Sequence, residues 1–276
     1  MLKKKSLGQH FLRSNGALAK IVEAAKLASA DTVVEVGPGE GVLTELLLQQ
    51  AGKVIAVEKD DRLIPLLQKK FASELASGKF ELVHGDILSL PTNYLLPTTY
   101  YKIVANLPYY ITGQFLRTFL QGTAHPPAQM TLLLQKEVAR RIACLPRQAG
   151  TRRRQVAPKE SVLSISVKAY GTPRYIDTVK AGSFVPPPKV DSAILNIEYI
   201  SKDFFGDVSE SDFFALVRRG FAHPRKVLAS NLSATGEFLA ACGIPEKARA
   251  EDLLLGDWRQ LTVRMGPVPS TREAPR

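Results

Sequence analysis

The chain has 276 residues, 45% of them hydrophobic, and it carries 37 Lys and Arg against 26 Asp and Glu, a formal net charge of +11. This length fits one large domain or two of ordinary size, and the apolar content is enough for a sizeable core. No apolar run approaches the roughly 20 residues of a membrane span, and the start of the chain lacks the apolar block of a signal peptide.

Charge and cysteine usage narrow the class of protein further. The expected partner is a polyanion such as nucleic acid, because each neutralised phosphate releases condensed counterions; the alternative is a basic protein that is merely soluble. The two cysteines, Cys144 and Cys242, have no metal-ligand spacing, so we expect packing thiols in a reduced, cytoplasmic compartment. The cations cluster at Lys3-Lys4-Lys5, at Arg147 with Arg152-Arg153-Arg154 and Lys159, and at Arg218-Arg219 with Arg225-Lys226.

Strand and helix patterns alternate through the first half of the chain. Ser14 or Asn15 is the expected cap of the first helix. Repeated strand–helix–strand units predict an α/β fold, a Rossmann-like, doubly wound and mostly parallel sheet with helices on both faces. The predicted strands are 32–36, 53–58, 80–84, 101–105 and 130–134, and the predicted helices are 15–27, 42–50, 61–75, 114–120 and 136–145.

The second half changes character after a polar, cationic segment at 148–159, which predicts a surface loop. Alternating patterns at 161–170 and 192–199 predict the last strands as an antiparallel edge, with Pro186-Pro187-Pro188 as a stiff extended connection between them. The expected domains are 1–200, with a basic arm at 1–14, and an all-helical domain at 201–265, before a disordered tail at 266–276. The helical patterns are 211–221, 225–232, 237–242 and 248–254.

A glycine-rich loop, Glu35-Val36-Gly37-Pro38-Gly39-Glu40-Gly41, follows the first predicted strand. Glycines there allow a tight turn and leave room for a ligand, and nicotinamide enzymes use a related loop. Two features favour S-adenosylmethionine instead. Pro38 removes an amide donor that a diphosphate cradle needs, and the Glu35 carboxylate would repel a diphosphate. Glu35, Gly37 and Gly39 are therefore candidate cofactor-binding residues.

Two acids end the next two predicted strands. Glu58 comes about twenty residues after the loop, where a carboxylate can accept hydrogen bonds from ribose hydroxyls. Asp86 ends the third strand, where it could accept from the adenine amino group of the cofactor. In isolation each residue would be ordinary, a solvated acid or a turn residue. Their place in the series favours cofactor binding for both.

The catalytic candidate is Asn106-Leu107-Pro108-Tyr109, which follows the fourth predicted strand. An adenine N6 is a poor nucleophile because its lone pair is delocalised into the ring. The Asn106 side-chain oxygen and a backbone carbonyl in Leu107-Pro108 can accept its two N–H bonds, which frees the lone pair for in-line attack on a sulfonium methyl. Tyr109 offers a ring on which a flipped-out base can stack, worth about 1–3 kcal/mol. The alternative is a plain strand-ending Asn-x-Pro turn.

These segments together resemble the KsgA/RsmA family of ribosomal RNA adenine dimethyltransferases, over most of the chain. The resemblance implies S-adenosylmethionine as methyl donor and S-adenosylhomocysteine as product. It also implies dimethylation, at N6, of each of two adjacent adenines in a small-subunit (16S) hairpin during ribosome biogenesis. The segments that carry it are Leu7-Gly8-Gln9-His10-Phe11-Leu12, Glu35 to Thr44, Asn106 to Ile111, Gln135-Lys136-Glu137-Val138-Ala139 and Phe184 to Ser192.

The resemblance further implies roles for single residues. Phe184 would sandwich the target base opposite Tyr109, with core packing as its alternative role. The helical domain at 201–265 would bind RNA. The implied partner is the small-subunit RNA of a pre-30S subunit, bound by a monomer without a metal ion or a membrane. Cofactor contacts fall at His10, Leu12, Gly37, Glu58, Asp86 and Asn106.

Three places depart from the family's pattern. His10 stands where Asn is usual, the stretch at 152–164 lacks a Tyr-Gly-Arg-Leu-Ser-like run, and Pro224 replaces a cation. Three other functions remain open. They are a resistance-type methyltransferase acting on large-subunit RNA, a non-catalytic ribosome-assembly or transcription factor, and a nicotinamide dehydrogenase. The intact Asn106-to-Tyr109 motif argues against the second.

Overall fold

The computed structural model describes residues 10–90, 100–143 and 159–267. These residues form two compact units, the first containing 10–90, 100–143 and 171–201 and the second containing 159–170 and 202–267. None of the helices in these ranges has the length and apolar character that a membrane span needs. Residues 1–9 of the predicted arm, Cys144, the cations at 147–154 and the tail from 268 lie outside the described residues.

The first unit alternates strands and helices along the chain. Its strands are β1 (Phe11–Leu12), β2 (Thr32–Val36), β3 (Lys53–Glu58), β4 (Phe80–His84), β5 (Lys102–Asn106), β6 (Gln129–Gln135), β7 (Thr172–Val179), β8 (Phe184–Val185) and β9 (Ser192–Glu198). Its helices are α1 (Asn15–Ala25), α2 (Val42–Gln50), α3 (Ile64–Lys70), α4 (Ala72–Ala76), α5 (Thr112–Leu120) and α6 (Lys136–Ile142), with 3-10 turns at Tyr109–Ile111 and Ala181–Ser183.

Seven strands form one sheet in the order β4-β3-β2-β5-β6-β9-β7. The first five run parallel, whereas β9 is antiparallel to both β6 and β7. The predicted mostly parallel sheet with an antiparallel edge is therefore confirmed. Val36 lies opposite both Val57 and Ala105, so the loops that follow β2, β3 and β5 meet at one edge of the sheet. In open α/β sheets this edge, where the strand order reverses, is where ligands bind.

Local sequence explains why these elements form. β5 and β6 are buried throughout except at their last residues, Asn106 and Gln135. A strand buried on both faces must be covered by helices, and α1 packs against β6 and β7 while α2 packs against β3. The Ser14 side chain accepts the Ala17 N–H (3.3 Å) and caps α1, which decides between the two predicted caps.

The second unit is helical. The prediction of a helix at 248–254 is wrong, because a 3-10 turn at Ala250–Asp252 lies there. The last helix, Leu255–Met265, was not predicted. It buries only Trp258, Leu261 and Thr262, so its apolar pattern in the sequence is weak. The helices are α7 (Val162–Lys168), α8 (Glu210–Gly220), α9 (Leu228–Leu232), α10 (Gly236–Ala241) and α11 (Leu255–Met265).

The prediction of a strand at 161–170 is also wrong, because this segment forms α7. The Ser161 side chain accepts the Ser164 N–H while the Ser164 side chain accepts the Ser161 N–H, which is a capping box at a helix start. At its end, the Tyr170 ring lies 5.2 Å from Phe205 and 6.0 Å from Phe214, between centroids. Residues 159–170 therefore pack with the helical unit, whereas the domain boundary predicted near residue 200 assigned them to the first domain.

Candidate active site

One cleft opens at the carboxyl edge of the parallel strands. It is lined by loops that follow β2, β3, β4 and β5, and by residues of β1. β1 reaches this edge because it pairs with β8, Phe11 opposite Val185 and Leu12 opposite Phe184. Among the predicted site residues, the cleft is lined by His10, Leu12, Glu35, Gly37, Gly39, Glu58, Asp86, Asn106, Leu107, Pro108 and Tyr109.

The loop after β2 bends through three glycines with positive φ, Gly37 at 71°, Gly39 at 60° and Gly41 at 75°. A Cβ atom at Gly39 would lie 2.9 Å from the Phe11 ring, and one at Gly41 would lie 2.6 Å from the Phe71 ring. Both the backbone angles and the close packing therefore require glycine at these two positions. Gly37 and Gly39 line the cleft, and a Cβ atom at Gly37 would meet open space.

Glu58 ties this bend to β3. Its carboxylate accepts the Gly39 N–H (3.1 Å) on one oxygen and the Asp60 N–H (2.8 Å) on the other. Burial raises the pKa of Glu58, and these backbone donors limit the rise. Each carboxylate oxygen has further lone-pair capacity, so Glu58 can accept hydroxyl donors from a ligand in the cleft.

Glu35 is a buried carboxyl group of the cleft whose hydrogen-bonding capacity is only partly used. Its side chain is 1% exposed, and Oε2 has no hydrogen-bond partner among the described residues. Burial raises the pKa of Glu35 to about 8. The nearby Thr44 hydroxyl counteracts part of that rise, but it too lacks a hydrogen bond of normal geometry. An unpartnered buried carboxyl that lines a cleft fits a cationic ligand group.

Asp86 is held by Lys59, a cleft residue that sequence reasoning missed. The Lys59 ammonium donates to Asp86 Oδ2 (2.8 Å), and the Leu88 N–H donates to Oδ1 (3.0 Å). Partial burial would raise the pKa of Asp86, but Lys59 and Leu88 outweigh it and lower the pKa. The signal was present in the sequence, because Lys59 directly follows Glu58 at the end of β3.

Asn106, the last residue of β5, is oriented by the main chain of the residue that precedes β1. Its Nδ2 donates to the His10 carbonyl (3.1 Å), so its Oδ1 remains available as an acceptor on the other side of the amide. The turn that follows is fixed by the Leu107 N–H, which donates to the Leu133 carbonyl (3.3 Å). The Pro108 carbonyl accepts the Ile111 N–H (3.2 Å).

Tyr109 begins the 3-10 turn and is half-buried at the cleft. Its hydroxyl lies 2.8 Å from the Ser192 hydroxyl, and its ring stacks on the His10 ring at 6.0 Å between centroids and 23° between planes. Burial raises the pKa of Tyr109, so the phenol is neutral at physiological pH. The His10 Nδ1 lies 2.8 Å from the Pro186 carbonyl, which links β1 to the chain just after β8.

The structure does not bring Phe184 to the cleft. Its side chain is 2% exposed and belongs to the hydrophobic core with Leu12 and Leu18. A face that stacks on a substrate base has to be accessible from the cleft, so this placement favours the packing role. The other predicted members of the site do line the same cavity.

The second unit presents a cationic segment of its own. Arg218 and Arg219 form the last turn of α8, and Arg225 and Lys226 lie exposed in the following loop. None of the four forms an ion pair with a described acid. The Asn231 side chain donates to the Gly220 (2.6 Å) and His223 (3.1 Å) carbonyls and so fixes the loop. By contrast, Lys159 pairs with Glu251.

Metal chemistry has no counterpart in the parts of the chain that the structure describes. No group of three or more His, Cys, Asp or Glu side chains there is arranged to hold a metal ion. Cys242 is a buried free thiol.

The known proteins that this chain resembles include ribosomal RNA methyltransferases and a dimethyladenosine transferase. The family model of ribosomal RNA adenine dimethylases matches residues 1–265. The ribosomal RNA small subunit methyltransferase A of Dehalococcoides mccartyi is 43% identical over 96% of this chain and 89% of its own. A dimethyladenosine transferase from Plasmodium falciparum superposes with a TM-score of 0.73 at 26% identity, over 93% of this chain and 97% of that one. The 23S rRNA methyltransferase ErmE superposes with a TM-score of 0.72 at 25% identity, over 92% of this chain and 98% of that one.

Proposed function

This chain belongs to the ribosomal RNA adenine dimethylase family, and we propose that it dimethylates N6 of two adjacent adenines in a small-subunit (16S) rRNA hairpin during ribosome biogenesis. It is a methyltransferase, and S-adenosylmethionine is the donor that we propose. The observation that carries the proposal is the cleft itself, in which the Asn106-to-Tyr109 turn and the Gly37-to-Gly41 bend line one cavity.

The residues of the cleft fit S-adenosylmethionine. When bound, this cofactor supplies an electrophilic methyl group on a sulfonium. The glycine bend offers bare backbone, and Glu58 offers carboxylate acceptors suited to ribose hydroxyls. Glu35, buried and unpartnered at Oε2, is suited to a cationic group of the cofactor. Asp86, kept ionised by Lys59, is suited to accept from an adenine amino group.

The asparagine turn is suited to an adenine amine. With Nδ2 committed to the His10 carbonyl, Asn106 would accept one N6–H at Oδ1, and a backbone carbonyl of Leu107 or Pro108 would accept the other. Both contacts would draw the nitrogen lone pair out of conjugation and so make the amine more nucleophilic. Catalysis then rests on alignment and preorganised acceptors. The Tyr109 ring would hold the flipped-out base by stacking.

Small-subunit RNA is the substrate that the comparisons favour. The small-subunit relative from Dehalococcoides mccartyi is 43% identical to this chain, whereas the 23S enzyme is 25% identical. The second unit supplies a phosphate-binding surface in the unpaired cations of 218–226, which supports RNA binding as its role. We propose a pre-30S subunit as the partner and a monomer as the acting form.

The decisive experiment is transfer of labelled methyl groups from S-adenosylmethionine to purified, unmethylated small subunits, with large subunits in a parallel reaction. Primer extension then maps the modified nucleotides. Adjacent dimethylated adenines in small-subunit RNA are the expected result, and Asn106→Ala should abolish labelling. Modification of large subunits alone would establish the resistance-type activity instead, and equal labelling by Asn106→Ala would refute the role of the turn.

A further inference from the structure

Ser192 is a buried hydroxyl that the proposed reaction leaves without a role. It is the first residue of β9 and is 0% exposed. Its backbone lies inside the sheet, opposite Gln135 of β6 on one side and Val179 of β7 on the other. The position of its side chain is therefore fixed by the sheet and not by a loop.

The partner of this hydroxyl is the Tyr109 phenol, 2.8 Å away and 83 residues earlier in the chain. Tyr109 itself lies in a three-residue turn that has no side-chain cap. Its ring is only half-buried, and the His10 ring covers it at 6.0 Å. The bond to Ser192 is thus the one hydrogen bond that anchors the far end of the Tyr109 ring among the described residues.

The surroundings of Ser192 keep this anchor rigid. The preceding residue, Asp191, accepts the Ala181 N–H (3.1 Å) and the Lys180 ammonium (3.2 Å) with its carboxylate. Its carbonyl accepts the Lys136 N–H (3.0 Å). The start of β9 is therefore tied both to the turn that precedes β8 and to the start of α6, on either side of the hydroxyl.

We propose that Ser192 is a positioning residue for adenine methylation, because its hydroxyl sets the plane of the Tyr109 ring against which the target base stacks. This inference rests on the proposed function. In this arrangement the Tyr109 phenol acts as an anchor through its hydrogen bond with Ser192, and it is not required to donate to the substrate or to take its proton. The raised pKa of Tyr109 agrees with this, as a neutral phenol is a poor base.

The test is a double-mutant cycle on methyl transfer to unmethylated small subunits. Ser192→Ala and Tyr109→Phe each remove one end of the same bond, so each should lower the single-turnover rate two- to tenfold, the range for one net hydrogen bond. The double variant should be no slower than the slower single variant. S-adenosylmethionine affinity, measured by calorimetry, should stay within twofold, because the two hydroxyls bond to each other and not to the glycine bend.

Thr131→Val is the matched control. Thr131 is a buried hydroxyl in the same sheet, bonded to Asn196 Oδ1 at 3.2 Å and unconnected to the turn. Thr131→Val should lower the free energy of unfolding, as Ser192→Ala does, and should leave the rate of methyl transfer unchanged.

Rates of Ser192→Ala and Tyr109→Phe at the wild-type level, or losses that multiply in the double variant, would overturn the inference while leaving the methyltransferase intact. If the wild type itself does not label small subunits, the proposed function fails, and this inference fails with it.

Discussion

Replacing Glu35 with Gln should change how the stability of the first unit depends on pH. Burial raises the pKa of Glu35 from 4.5 to about 8 in the folded protein. Between these values the folded state binds more protons than the unfolded state, so the free energy of unfolding falls as pH rises through this window. Below pH 4.5 the effect is absent, and above pH 8 it is complete.

The magnitude follows from the same two values. At about 1.4 kcal/mol per pH unit, the raised pKa of Glu35 lowers the free energy of unfolding by about 3 kcal/mol at pH 7 and by at most about 5 kcal/mol above pH 8. Gln is neutral throughout, so Glu35→Gln removes this term. The unfolding free energy of the variant relative to wild type should therefore rise by about 1.4 kcal/mol per pH unit between pH 5.5 and 7.5 and level off above pH 8.

The assay must report on the first unit. The single tryptophan, Trp258, lies in the second unit, so its fluorescence is unsuitable. Hydrogen exchange of β2 and β3 amides in cofactor-free protein, measured from pH 5.5 to 8.5, follows the right region. Glu23→Gln on the exposed side of α1 is the control and should parallel wild type. If Glu35→Gln also parallels wild type, Glu35 titrates normally and the argument from burial is refuted.

Four further predictions follow from the cleft and the cationic loop. Asn106→Ala should lower methyl transfer about a hundredfold or more, as measured on small subunits, because it removes a preorganised acceptor. Gly39→Ala should weaken S-adenosylmethionine binding in calorimetry at least tenfold, because φ is 60° and the added Cβ meets a ring. His10→Asn should keep transfer within about tenfold, because the main-chain carbonyl that bonds to Asn106 is retained and only one net side-chain bond is lost; a larger loss would show that the ring is needed. The double variant Arg225→Gln, Lys226→Gln should reduce the slope of log binding constant against log salt concentration for RNA binding by about two, because two phosphate contacts are lost. An unchanged slope would show that the loop does not contact the RNA.

The parallel sheet and most of the site could be predicted from the sequence because their signals are local. Apolar runs mark β2, β3 and β5, and polar residues end β3 and β5. Parallel strands then bring those ends together without any further information. This is why Glu58, Asp86 and Asn106 could be expected in one cleft, and all three line it.

The antiparallel edge was harder because its sequence lacks that signal. Along most of β7, exposed residues alternate with half-buried ones, and the strand contains Pro173 and Arg174. No apolar pattern in the sequence therefore marks it as a strand. The segment before it, 161–170, has an apolar alternation that a helix satisfies equally well once Ser161 and Ser164 cap it. Periodicity alone could not separate these two readings in so short a run.

The polar geometry of the cleft depends on main-chain groups more than sequence patterns suggest. Asn106 is oriented by the His10 carbonyl, and Glu58 is held by the Gly39 and Asp60 N–H groups. A main-chain acceptor is supplied by any residue type, provided that β1 stays paired with β8. His can therefore stand at position 10 where Asn is usual. Side-chain identity is restrictive where the backbone angle requires glycine, as at Gly39, and where the side chain itself meets a ligand, as proposed for Asn106.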